Sequence, residues 1–176
     1  MSTKGLAVIP GVQWSSAQRE ATSAFLAALG GPCRCLAAEA APYSVGKVRQ
    51  FLLSLPFAEC GVIAFSAGVV GAAGALTPGW LAGTNLQIKV LVALDGWPVP
   101  LFKPFPVYRV SHDLFTHQTS PGRGQVSFYA DPAVTHLELW SAPAHAQGWQ
   151  VGSGTQRRTS ALEFIRERLA EYGVWE

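Results

Sequence analysis

Along the chain, short runs that are apolar at every position alternate with longer stretches whose apolar residues fall on one helical face. "KGLAVIPG" predicts a strand ending at Pro10-Gly11. "SSAQREATSAFLAALGG" predicts a helix: Ser15 or Ser16 caps it, Phe25, Leu26 and Leu29 lie near one face, and Gly30-Gly31 ends it. "CRCLAA" follows as a short second strand, and "SVGKVRQFLLSL" as a second helix with Ser44 as cap and Pro56 as stop. "GVIAF" is apolar throughout, as the centre of a parallel sheet requires. A third helix follows Ser66, then strands in "IKVLVAL", "PVYRV" and "QVSFYA", then a closing helix in "TSALEFIRERLAEYG". Its Leu162, Phe164, Ile165 and Leu169 stand against charged neighbours.

Alternation of strand and helix predicts an α/β protein with right-handed crossovers: a three-layer α/β/α sandwich around a mostly parallel sheet of about six strands. Residues 95 to 157 read as richer in loop than in helix, with Arg157-Arg158 as a solvated turn before the last helix. The 176 residues suit one domain spanning 1–176.

Composition narrows the function. Hydrophobic residues make up 49% and charged ones 14%, so the chain has a rich core and is not a disordered segment. The net charge is +2 with no Lys/Arg patch, which argues against nucleic acid as a partner. No apolar stretch is clean enough to span a bilayer; the longest, 60 to 76, is dense in glycine. "MSTKGLAVIPG" lacks a signal-peptide layout, so a soluble, cytoplasmic protein is expected. Cys33, Cys35 and Cys60 have no metal-ligand spacing and read as small buried hydrophobes, with Cys33 and Cys35 of the Cys-x-Cys pair sharing one face of a strand.

Candidate chemistry centres on "CGVIAFSAGVVGAAGAL". Functional groups of a parallel α/β sheet gather at the carboxyl ends of strands, and Ser66 stands at such an end. Ala64-x-Ser66-x-Gly68 puts small residues where a sharp strand-to-helix turn crowds the backbone, and lifts the serine above the sheet. Gly68, Gly71 and Gly74 then recur every three residues, a face that lets the helix lie close to the sheet. The pentapeptide alone fits equally a serine that only caps the helix, so a base and an acid must be found. The histidines are His112, His117, His136 and His145. Asp95 follows "KVLVAL", Asp113 follows "VYRVSH", and His136 lies in a loop past the sixth strand.

In these segments the chain resembles the small, lidless bacterial lipases and esterases of the α/β-hydrolase superfamily. "AVIPGVQW" is similar to their first strand and oxyanion loop, "VIAFSAG" to their nucleophile turn, "YRVSHDLFTH" to the strand end near the acid, and "VTHLELW" to the histidine loop. The likeness covers roughly residues 5 to 140 in element order. It departs from the family at Pro10-Gly11, where His-Gly is common, and at Ala64, where Gly is common. The resemblance implies Ser66 as nucleophile, Asp113 as acid, His136 as general base, and the amides of Ala67 and Val12 as oxyanion donors. Asp95 is the alternative acid, although Asp-Gly before Trp-Pro is also a natural turn.

The other candidates read as structural. His112, next to Asp113 on a strand end, reads as a loop-bonding residue, since strand neighbours face opposite ways. His112, Asp113 and His117 lack a second firm pair of metal ligands. Trp14, Trp97 and Trp140 are candidates to line an apolar acyl pocket, or to cover the sheet as core. No cofactor or metal is expected. The implied activity is hydrolysis of a small-molecule carboxylic ester or thioester through a Ser-His-Asp triad and an acyl-enzyme. The alternative is an inactive hydrolase-like fold serving as a binding or scaffold protein. A nucleotide-binding flavodoxin-like domain is disfavoured, because no Gly-x-Gly-x-x-Gly or phosphate loop follows the first strand.

Overall fold

A computed structural model describes residues 4–96, 98–122 and 126–175. Eight strands form one sheet in the order β2-β1-β3-β4-β5-β6-β7-β8. The strands β1 (Lys4–Ile9), β2 (Arg34–Cys35), β3 (Glu59–Phe65), β4 (Gln87–Leu94), β5 (Val107–Ser111) and β6 (Val126–Ala130) run parallel. Two more, β7 (Gln147–Gly152) and β8 (Thr155–Ser160), add antiparallel at the β6 edge. The sheet is therefore mixed and larger than the six strands expected. Arg157 and Arg158 lie within β8, not in a turn. The hairpin turns through Gly152, Ser153 and Gly154, all at positive φ, a backbone that glycine supplies without strain.

Helices cover both faces. Side-chain alternation along β1 sends Leu6 and Val8 to one core, with Phe25 and Leu29 of α1 (Ser16–Leu29) and Phe164 and Ile165 of α7 (Ala161–Ala170). Ala7 and Ile9 go to the other, with Val48 and Leu52 of α2 (Val45–Leu53) and Val69 and Ala72 of α3 (Ala67–Ala75). Local signals set the helix ends as expected: Ser15 caps α1 in a reciprocal box with Gln18, and the Ser44 hydroxyl accepts from the Lys47 amide. Short helices also form at α4 (Pro78–Ala82), ahead of the region expected to be loop, and within it at α5 (Leu114–Thr119) and α6 (His136–Ser141). Among the described residues no helix is long and apolar enough to cross a membrane.

The glycine face of α3 packs differently from expectation. A Cβ on Gly68 would lie 2.3 Å from the Ile9 carbonyl oxygen, and one on Gly71 would lie 1.9 Å from that of Pro42. One on Gly74 would meet Val45 of α2. The stripe admits the end of β1 and the approach to α2, rather than the flat of the sheet. Cys60 is buried in β3 as expected, whereas Cys33 and Cys35 are only half-buried against the α1 core, and Cys33 lies just ahead of β2. Burial pushes the Cys35 and Cys60 thiols up to about 12, so neither is a thiolate at neutral pH.

Candidate active site

Four adjacent parallel strands end side by side. Ile9 pairs with Ala64, Phe65 with Leu94, and Leu94 with Val110. The next residues in chain order are Pro10-Gly11, Ser66, Asp95 and His112, so the topology alone collects them at one edge. Ser66 occupies the turn from β3 into α3 with φ 53° and ψ −121°, a conformation that costs a non-glycine residue roughly 1–3 kcal/mol. Its amide donates to the Leu94 carbonyl at 2.9 Å. Its hydroxyl makes no capping bond to α3, which removes the reading of Ser66 as a simple helix cap. Gly11 lies against it: a Cβ there would be 3.2 Å from that of Ser66. Ala67 opens α3, where the leading amides have no intrahelical acceptor.

His136 is the first residue of α6 and not part of a loop. Thr135 and Glu138 form a reciprocal capping box that fixes the start of the helix. The imidazole stacks on Phe65, the residue before Ser66, with ring centroids 4.6 Å apart. Phe65 stacks in turn on Trp140 at 4.7 Å, and Trp140 on Phe25. The Trp140 indole also donates to the Thr22 hydroxyl at 3.1 Å, which ties α6 to α1. Ser66 and His136 line one small cavity of about 50 Å³ together with Gly11, Val12, Phe65 and Trp140. Among the described residues no hydrogen bond joins the Ser66 hydroxyl to the ring. Catalytic hydrogen bonds commonly tighten only when substrate binds.

The acid facing His136 is Asp95. Its Oδ2 lies 2.7 Å from His136 Nδ1. Asp113, the first choice from sequence, does not reach this ring. Its Oδ1 accepts from the Thr116 amide at 2.7 Å as the cap of α5, and its Oδ2 faces His112 Nε2 at 3.3 Å. Asp95 sits at the end of β4 with φ 48°, and its side chain is 2% exposed. Burial pushes its carboxyl up, but hydrogen bonds from His112 and His136 outweigh that and hold it below the usual carboxylate range.

His112 is the site residue that sequence reasoning missed. Its amide donates to Asp95 Oδ1 at 2.9 Å, and its Nδ1 lies 2.8 Å from Oδ2. Strand alternation misled the expectation, because β5 ends at Ser111 and the rule no longer binds residues 112 and 113. The useful signal was the His-Asp pair immediately past a strand end. The hydrogen bond to Asp95, against burial, together with the charges of Asp95 and Asp113, raises the His112 pKa above its ordinary value.

The same three side chains bring ligand-type atoms within 4.8 Å of one another. Two ligands of one tetrahedral zinc stand about 3.3 Å apart. Each nitrogen here is only 2.7 or 2.8 Å from the carboxylate oxygen, the spacing of a shared proton.

The remaining candidates fall elsewhere. His117 is buried beside the Tyr129 ring, and His145 is exposed. Trp140 lines the cavity, whereas Trp14 is 78% exposed and borders a separate groove of about 460 Å³ with Tyr43 and Pro42. Trp97 lies outside the described residues.

No family model, curated protein or solved structure matches the chain.

Proposed function

We propose that the protein is a serine hydrolase of α/β-hydrolase type that cleaves a short-chain carboxylic ester or thioester through Ser66, His136 and Asp95. The observation that carries the reading is the Asp95–His136 contact of 2.7 Å beside a serine on a strained turn. An ionised carboxylate only accepts hydrogen bonds, so His136 donates from Nδ1 and keeps a lone pair on Nε2. That nitrogen takes the Ser66 proton as Oγ attacks the acyl carbon. It returns the proton to the departing alcohol or thiol, leaving an acyl-serine. Water, deprotonated by the same nitrogen, then releases the acid and restores Ser66. Asp95 fixes the tautomer and stabilises the imidazolium in both halves.

The Ala67 and Val12 amides stabilise the oxyanion, a contribution of roughly 3 kcal/mol per donor. A cavity of about 50 Å³ admits a few non-hydrogen atoms, which favours acetyl-sized acyl groups. Gly11 packs on Ser66, so the loop after Pro10 stays at the site, and this favours an enzyme over a scaffold. Three cysteines without a disulfide suit the reducing cytoplasm.

A fluorophosphonate probe tests the reading. Wild type should be labelled at Ser66 and cleave p-nitrophenyl acetate, and Ser66→Ala should do neither. An unlabelled, inactive wild type would overturn it.

A further inference from the structure

We propose that His112 is a positioning residue of this site, gripping both oxygens of Asp95 so that the carboxylate meets His136 in one orientation. The inference rests on the assignment of Ser66, His136 and Asp95 above and adds a fourth residue to it.

The grip has two points on one residue. The backbone amide of His112 holds Oδ1 at 2.9 Å and its ring Nδ1 holds Oδ2 at 2.8 Å, so the carboxylate cannot rotate without losing both. The His136 ring must therefore meet Oδ2 where His112 has set it. His112 is itself fixed from outside. Asp113 Oδ2 stands 3.3 Å from its Nε2, and the Thr116 amide holds the other Asp113 oxygen at 2.7 Å. The His112 carbonyl also accepts from the Val134 amide at 3.1 Å, two residues before His136. One residue thus anchors both the acid and the segment that delivers the base.

The polar chemistry is consistent with this role. Asp95 as an anion requires a proton on His112 Nδ1. A neutral His112 would then turn an Nε2 lone pair toward the Asp113 carboxylate, whereas the imidazolium donates to both. His112 so disposed has no free nitrogen with which to act as a base. It does not line the cavity shared by Ser66 and His136. Its influence passes through Asp95.

Two substitutions separate the nitrogens. The side-chain nitrogen of Asn stands near the place of a histidine Nδ1, and that of Gln near the place of Nε2. Both variants keep the backbone amide on Oδ1; of the two side-chain contacts, His112→Asn keeps the donor to Asp95 and His112→Gln keeps the contact with Asp113. For p-nitrophenyl acetate, H112Q should lose kcat by roughly 10–100-fold, the range typical when a group that orients a functional residue is removed. Its KM should stay near that of wild type, and H112N should recover most of the loss.

The downfield Nδ1 proton of His136, read by NMR, gives a measure independent of turnover. It should persist in wild type and H112N and be lost to exchange in H112Q. Equal kcat in all three, equal loss in both variants, or an unchanged proton in H112Q would overturn the proposal. A wild type that neither labels nor turns over removes the hydrolase reading by itself. The proton comparison then still decides whether His112 positions Asp95.

Discussion

Phe65 lays its ring against that of His136, 4.6 Å between centroids and 25° from parallel, while its own chain neighbour is Ser66. The last strand residue before the proposed nucleophile therefore also sets the plane of the proposed base. The contact continues through Trp140 and Phe25 into the core, so the imidazole rests on a packed aromatic column and not on a free loop. Phe65→Leu keeps an apolar side chain of lesser volume and removes the flat support. We expect a severalfold fall in kcat with Ser66 still labelled, and a loss of about 1–2 kcal/mol in urea unfolding. Labelling at the wild-type rate would show that the stack has no part in orienting His136.

Asp95 and Asp113 are both near strand ends, and the structure gives them different work. Asp95→Asn should lower kcat by about 10³–10⁴, because an amide presents the wrong hydrogen-bonding group to His136 and favours the wrong tautomer. Asp113→Asn keeps an oxygen for the Thr116 amide and touches His136 only through His112 and Asp95. Its loss should be tenfold or less. Steady-state kinetics on the two variants decide between the acids: equal losses would count against Asp95 as the partner of the base.

The pKa shifts of Asp95 and His112 predict opposite pH dependences of stability. The Asp95 carboxyl is lowered from 3.8, so its stabilisation is complete above that value and is lost as the pH falls through the lower folded value. The His112 pKa is raised from 6.5, so its stabilisation is complete below that value and is lost as the pH rises through the higher folded value. The melting-temperature gap between wild type and D95N should accordingly narrow on acidification below about pH 4. The gap between wild type and H112N should be widest in mild acid and narrow as the pH rises from 6.5 through the higher folded value. A gap that ignores pH in either pair would mean that the corresponding charge is not coupled to folding.

Much of the site was legible because its signals are local. Small-x-Ser-x-Gly after an apolar run marks a turn too tight for side chains, and Ser66 is found there with positive φ. Asp95 was undervalued because Asp-Gly carries the same signature in an ordinary turn as at this strained strand end, and only the neighbouring strands tell the two apart. His112 depends on where β5 stops, a boundary that residue periodicity does not fix. The hairpin β7–β8 escaped because β7 is a polar, glycine-rich run, QGWQVG, and β8 exposes Thr155, Gln156, Arg157 and Arg158. β7 is held by pairing to β6 and β8 by pairing to β7, rather than by an apolar pattern of their own. The six-residue α6 is too short for a helical period to show.

The glycines of α3 allow a test of the packing that sets the Ser66 turn. A Cβ at Gly71 would fall 1.9 Å from the Pro42 carbonyl oxygen, and one at Gly68 would fall 2.3 Å from that of Ile9. Both neighbours are backbone and cannot swing away, so the helix or the loop must shift. Alanine normally favours a helix over glycine by about 1 kcal/mol, and the clash must reverse that sign. We expect Gly71→Ala and Gly68→Ala each to destabilise by about 1–3 kcal/mol or more. Gly68→Ala should also slow Ser66 labelling, since it pushes α3 away from the end of β1, where Gly11 and Val12 lie. Gly79 of α4 has nothing within 4 Å of the added carbon, and Gly79→Ala serves as the control, with stability at or slightly above wild type. Urea unfolding of the three variants reads the contrast. Gly71→Ala as stable as Gly79→Ala would mean that α3 does not need its close approach to Pro42.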